Sequence, residues 1–346
     1  MPNSGYIINE EKSYCTVDGI NKDESARLYT TGDGDHAIAN LQKGSKCYLY
    51  FDVEEGITFS EILLTKDIQT RSDFGTTLIA DTTGIIYQTT DWSGTSYYFA
   101  GNPTDNWVHF GGFYWRIVRV NGDGTVRLIY NGTSTTTTGV DTVFNNYQVF
   151  NTLRDRSEYV GFKYTLNEQH GQSDDSVILD SLLSWYSSSG LSATQYSDHI
   201  DIDIGYCDER NVASGYTWSS EPSSTLRYAA YERLVTNKTP SLNCNSNDVI
   251  KEPVGLITAD EVAFAGGVYN IDNSGYYLYN NQSFWTMTPF GVDSDGYPVM
   301  FRMYSDGDFS AHRAAYMSSV RPVINLKADT KFEGSGTSSD PYTVVG

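Results

Sequence analysis

DFSAHRAAYMSSVRPVINL occupies Asp308–Leu326, and its two halves follow different rules. Asp308 to Tyr316 mixes charged, small and aromatic side chains with no period that a helix or a strand would impose. Val320 to Leu326 has the composition of a buried strand. SVRPVINL therefore reads as a strand, set directly against the irregular run. Arg321, just before a proline, would fix the strand end by bonding backbone carbonyls.

Working outward, YYLYN (276–280), SFWTMTP (283–289) and YPVMFRMY (297–304) read as further strands. The tail KFEGSGTSSDPYTVV (331–345) reads as a short closing hairpin. FYWRIVRVNGDGTVRLIY (113–130) is a β-hairpin, because two alternating apolar runs flank Asn121-Gly122-Asp123-Gly124, residues that tolerate the positive φ of tight turns. SDDSVILDSLLSWYSSSG (173–190) is helical by the spacing of Ile178, Leu182, Trp185 and Tyr186. TADEVAFAGG (258–267) opens on a capping box, Thr258 with Glu261, and stops at Gly266-Gly267. Between the two helices lies a long irregular stretch, Ser192 to Glu252.

Upstream, residues 1–66 read as a small β-rich unit with a strand in KCYLYFDV (46–53) and a short helix in FSEILLTKD (59–67). Residues 67–83 read as a linker and 84–346 as the main domain. The fold class is α+β, with a twisted antiparallel sheet and two helices in the main domain.

Lys and Arg number 23 against 43 Asp and Glu, a formal net charge of -20. Such a surface repels phosphate backbones and anionic lipid, which argues against nucleic acid as a partner. No stretch approaches the roughly 20 apolar residues of a membrane span, so direct membrane insertion is not expected. MPNSGYIINE shows no signal peptide. The 27 Tyr, with abundant Ser, Gly and Asn, suit both β-strands and a recognition surface. Cys15, Cys47, Cys207 and Cys244 allow three pairings, of which proximity favours Cys15–Cys47 and Cys207–Cys244. An even count in a Tyr-, Ser- and Thr-rich acidic chain fits an oxidising, extracellular setting.

The order hairpin, helix, long insertion, helix, strands resembles the C-type lectin-like fold. YYFAGNPTDNWVHFGGFYWRIVRVNGDGTVRLIYNG (97–132), PVGLITADEVAFAGGVY (253–269), YYLYNNQSFWTMTPF (276–290) and SVRPVINLKADTKFEGSGTSSDPYTVV (319–345) resemble surface proteins of gut Firmicutes. Members of that family often carry a membrane-anchoring N-terminus. The last segment is also similar to the variable proteins of diversity-generating retroelements and to the related formylglycine-generating enzymes. The resemblance implies a lectin-like scaffold in which SSVRPVINL is a central strand and GVDSDGYP (291–298) and DFSAHRAAY (308–316) are loops held on its surface, a changeable patch just upstream of the terminal core strand. Here that patch corresponds to Gly291–Tyr297 and the alternate outward positions from Arg302 to Tyr316. The candidate ligand-binding residues are Asp293, Ser294, Asp295, Tyr297, Arg302, Tyr304, Asp308, Phe309, His312, Arg313 and Tyr316, and the partner is an external protein or glycan.

No cofactor, metal or catalytic site is expected. The pairs Asp293/Asp295 and Asp33/Asp35 lack the further oxygens of an EF-hand loop. GDGDHA (32–37) matches a dinucleotide-binding spacing outside any βαβ unit. G-x-S-x-G, H-E-x-x-H and P-loop motifs are missing, and the five His are scattered. A formylglycine-generating activity needs a reactive Cys pair near the C-terminal core, whereas the last Cys is Cys244. Trp115, Trp285 and Arg321 read as scaffold. A structural surface subunit and an enzyme with an unfamiliar site are the rival classes.

Overall fold

The computed structural model describes residues 6–17, 19–30, 36–53, 56–222 and 224–345. The chain forms two compact units. The smaller comprises Met1–Ile57 with Lys331–Glu333 and Val345–Gly346, and the larger comprises Thr58–Thr330 with Gly334–Val344.

In the smaller unit Tyr14–Val17 pairs with Asn21–Lys22 and with Lys46–Tyr48, and Arg27–Thr30 pairs with His36–Ala39. Cys15 faces Cys47 across the ladder, and the two are joined in a disulfide. Cys15 is buried with Ile8 and Leu28. KCYLYFDV is two short strands, Lys46–Tyr48 and Phe51–Val53, and not one. Asp33 and Asp35 lie outside the described residues.

The unit boundary falls at Ile57/Thr58 and not at residue 66. Thr58 caps helix α1 (Phe59–Leu63) in a capping box with Glu61, and Phe59, Ile62 and Leu63 are buried. Nor are residues 67–83 a linker. Strand β1 (Asp67–Gln69) pairs in parallel with β2 (Ile85–Asp91), Arg71 Nη1 donates to the Phe264 carbonyl, and Phe74 packs edge-on against Phe264. The stretch is polar in sequence because its anchors are a few side chains and not an apolar run.

The larger unit is mixed α and β, mostly sheet. Its first sheet continues through β3 (Gly94–Tyr98), β4 (Trp107–Phe110), β5 (Phe113–Val120), β6 (Val126–Tyr130), β13 (Val323–Leu326) and β14 (Tyr342–Val345), in the order β14-β4-β5-β3-β2-β1, with β6 joining β5 to β13. The expected β5–β6 hairpin is present. Gly124 takes the positive φ of its turn, at 89°. The second sheet has the order β7-β12-β9-β10-β11, from β7 (Asn145–Val149), β9 (Phe284–Val292), β10 (Pro298–Met303), β11 (Phe309–Arg313) and β12 (Met317–Val320). A two-residue strand β8 (Leu226–Arg227) is added at the far end of β9. Most pairs are antiparallel; β1–β2, β4–β14 and the single bridge between β9 and β12 are parallel.

SSVRPVINL is therefore not one strand. The chain leaves the second sheet at Val320 and enters the first at Val323. Pro322 has no N–H to give a ladder and holds Arg321 in an extended conformation, so two residues suffice for the change of sheet. Arg321 is fully buried at the switch. Its Nε donates to the Tyr130 carbonyl, its Nη1 to the Leu278 carbonyl and its Nη2 to Asn131 Oδ1, all at 2.9 Å.

DFSAHRAAY is likewise not a loop, since Phe309 to Arg313 form β11 in register with Met303 to Val299. YYLYN is not a strand. Tyr276, Tyr277 and Leu278 are buried in a turn whose carbonyls and amides bond side chains and distant backbone. The tail strands Lys331–Glu333 and Tyr342–Val345 fall in the smaller unit and beside β4 respectively.

Helix α2 (Val177–Ser188) is capped by Ser176 and buries Ile178, Leu179 and Leu182. Helix α3 (Ala259–Ala265) carries the expected capping box, and all seven of its residues are buried. Glu261 does more than cap. Its Oε1 accepts from Arg119 Nε and Arg127 Nη1, both at 2.8 Å, while Arg119 Nη1 also reaches Asp91 at 2.7 Å. The Ser192–Glu252 stretch is stapled by Cys207–Cys244 and by pairing of Tyr206–Cys207 with Val249–Ile250. No helix among the described residues is long and apolar enough to cross a membrane.

Candidate ligand-binding face

Directly opposed residues on neighbouring strands share a face of the sheet. Trp285, Arg302 and Ser310 are opposed across β9, β10 and β11, and Met300 is opposed to His312. Phe284, Met303 and Phe309 form the next rank and point to the other side. Phe309 is 1% exposed, packed at 5.9 Å from Phe301 and 6.2 Å from Tyr269. It is core, and its place among the expected binding residues is corrected on that ground.

On the outward face the aromatics form a stack of contacts. Trp285 is buried and donates its Nε1–H to the Gln148 carbonyl at 2.8 Å. The His312 ring lies 5.6 Å from Trp285, 6.1 Å from Tyr304 and 5.5 Å from Tyr316. Tyr304 donates its hydroxyl proton to the Ala311 carbonyl at 2.9 Å. Burial, and then the Arg302 charge, pull His312 down to about 4. The imidazole is thus neutral at physiological pH. An NMR titration of its ring resonances should show a midpoint near 4; a midpoint at or above the ordinary 6.5 would place the ring in water.

Arg302 lies on the outward face but is sunk to 9% exposure. Its guanidinium stacks 3.9 Å above the Tyr304 ring, and its Nε has no hydrogen-bond partner. Asp308 is half-buried close to it, and desolvation followed by the Asp306 and Asp272 charges pushes its carboxyl up to about 6. Arg302 forms the floor of an open groove of about 410 Å³, walled by Val140, Tyr147, Gln282, Ser305 and Met317. Tyr147 is 76% exposed, Met317 62%, Val140 52% and the adjoining Tyr316 49%. A single exposed apolar side chain is ordinary; three around one polar floor mark an interaction site.

The remaining expected residues form a separate cluster. Arg313 Nε reaches Asp293 Oδ2 at 2.6 Å, its Nη2 reaches Asp295 Oδ2 at 2.5 Å, and the guanidinium lies 4.2 Å over Tyr297. Asp293 Oδ1 accepts the Asp295 and Tyr297 amides. Ser294 is exposed at the tip of this turn. The cluster is closed on itself: its charges already have partners, and a ligand would have to break them.

The structure therefore brings together Arg302, Tyr304, His312 and Tyr316. It adds Val140, Tyr147, Gln282 and Met317, which the sequence reading did not single out. Their only local signal is a large apolar residue in a polar setting, as in NNYQ (145–148). The two disulfides Cys15–Cys47 and Cys207–Cys244 are those that sequence proximity favours. Comparison with protein-family models, with curated proteins and with solved structures found no match.

Proposed function

We propose that the chain is an extracellular or cell-surface recognition protein of adhesin or receptor type. Its larger unit would be a C-type lectin-like domain that binds an external partner non-covalently through the Arg302 groove. The observation that carries this reading is the exposed Tyr147, Met317 and Val140 around a guanidinium whose Nε is unpartnered among the described residues. Tyr, Met and Arg are the side chains enriched at the centres of protein contacts, which favours a protein ligand over a glycan at this face. Two disulfides support an oxidising location. The resemblance to diversified proteins is served by the same geometry, because Ser310 and Tyr316 face outward and can change without disturbing Phe301 and Phe309 beneath.

The test is surface plasmon resonance against a panel of purified extracellular proteins, comparing the wild type with Tyr147→Ala/Met317→Ala. At least one partner should bind the wild type and lose about tenfold or more in affinity in the double variant. The melting temperature should stay within about 1 °C, since both side chains are already in water. A partner that binds both proteins equally, or a panel that binds neither, would count against the proposal.

A further inference from the structure

We propose that the larger unit carries a second binding site, a cleft that adjoins the Arg302 groove at Asn281 and takes one ring of a neutral glycan. It lies between the 132–142 loop and the 277–281 turn and is an open cleft of about 480 Å³, within the size range of small-ligand pockets. Trp107, Tyr277 and Tyr279 line it. Thr135, Thr138 and Asn281 also line it, and among the described residues their side chains make no hydrogen bond.

Both walls are built before any ligand arrives. Asn280 Nδ2 donates to Thr142 Oγ1 at 2.7 Å, and the Gly139 amide donates to the Asn280 carbonyl at 3.1 Å. Arg321 ties the Leu278 carbonyl on one side to Asn131 on the other. Ordering entropy that would otherwise oppose binding is already spent in folding.

The chemistry of the lining selects the ligand class. A sugar ring presents C–H faces, which pack on aromatic rings, and hydroxyls, which need neutral donors and acceptors in equal supply. The partly exposed Tyr279, with free threonine hydroxyls and a free carboxamide, matches both demands, while Trp107 and Tyr277, 8% and 5% exposed, back the wall. No Asp, Glu or Lys lines the cleft. Its one cation, Arg116, is held between Trp107 at 4.4 Å and Tyr277 at 5.3 Å. It already donates Nε to Asn106 Oδ1 and Nη2 to the Pro103 carbonyl, so little of it is left for an anion. A purely apolar ligand would leave the free hydroxyls and amide without water or partner.

The probes are lactose, maltotriose, mannotriose and N-acetylglucosamine, with glucuronate as the charged control, titrated by NMR and by tryptophan fluorescence. At least one neutral sugar should bind with a dissociation constant below about 10 mM. Asn281→Gly, which keeps the backbone free to hold the φ of 58° found there, should weaken it about tenfold. Thr138→Trp, placed on an exposed position at the mouth, should abolish it with the fold intact by circular dichroism. Tyr147→Ala/Met317→Ala should leave sugar binding unchanged, which separates this site from the protein-binding groove. Failure of every neutral probe, sugar binding that survives Thr138→Trp, or glucuronate binding tighter than any neutral sugar would overturn the proposal.

Discussion

Arg321→Ala should lower the stability of the larger unit by about 3 kcal/mol, seen as a fall in melting temperature of about 10 °C. The guanidinium is fully buried and satisfies three acceptors, the carbonyls of Tyr130 and Leu278 and Asn131 Oδ1. Alanine removes that donor from all three, at about 1–3 kcal/mol for each buried carbonyl and less for Asn131, which borders the open cleft, and leaves a void against Phe284. Relief works in the opposite direction. Among the described residues the charge has no carboxylate partner, and burial pulls its pKa down to about 10, so removing it recovers desolvation energy. The acceptors outweigh that relief because they tie two segments distant in the chain, Tyr130-Asn131 and Leu278, to the switch. Arg321→Lys should rescue only part of the loss, since an ammonium cannot span acceptors that a planar fork reaches at 2.9 Å. A melting temperature within about 1 °C of wild type for Arg321→Ala would show that the two sheets hold together without it.

That role was legible in the sequence, because an arginine ahead of a proline at the end of an apolar run has few other uses. The β5–β6 hairpin, α2 and the α3 capping box were legible for the same reason: each is specified by neighbours within a few residues. The change of sheet at Arg321-Pro322 was not, because both halves of VRPVINL look equally buried and nothing local says against what. Strand β11 was hidden by position. It is the outermost strand of its sheet, so only Phe309 is fully buried, and Ala311 behind it is too small to mark an alternation. Tyr276, Tyr277 and Leu278 misled in the opposite direction, since an apolar aromatic run buried in a turn has the composition of a strand. The groove draws on residues near 140, 147, 282, 302 and 317. No local pattern joins positions so far apart, and only the register of β7, β12, β9 and β10 does so.

Glu261→Gln should cost about 3 kcal/mol at neutral pH, and the loss should vanish in acid. Burial alone would raise the Glu261 carboxyl, but Arg127 and Arg119 outweigh it and hold it at about 2, against an ordinary 4.5. A carboxylate whose folded value lies below its unfolded value adds stability above the unfolded value. That contribution disappears as pH falls from about 4.5 toward 2. A displacement of this size corresponds to about 3 kcal/mol. Glutamine keeps the shape and loses the charge, leaving Arg127 with Asn325 Oδ1 and the Gly205 carbonyl but no anion. Other groups confuse the raw acid curve. Burial pushes Asp208 up to about 7 and Asp308 up to about 6, and carboxyls raised in the fold add stability on the acid side and lose it as pH rises. Denaturant titrations of both proteins from pH 7 to 2 remove these terms by subtraction, because Asp208 and Asp308 are present in each. The wild-type advantage should be level down to about pH 4.5 and then close. An advantage that stays constant to the lowest pH, or no advantage at any pH, would mean that the charge shared between two buried guanidiniums is not what makes Glu261 the residue on which α3 and the first sheet depend.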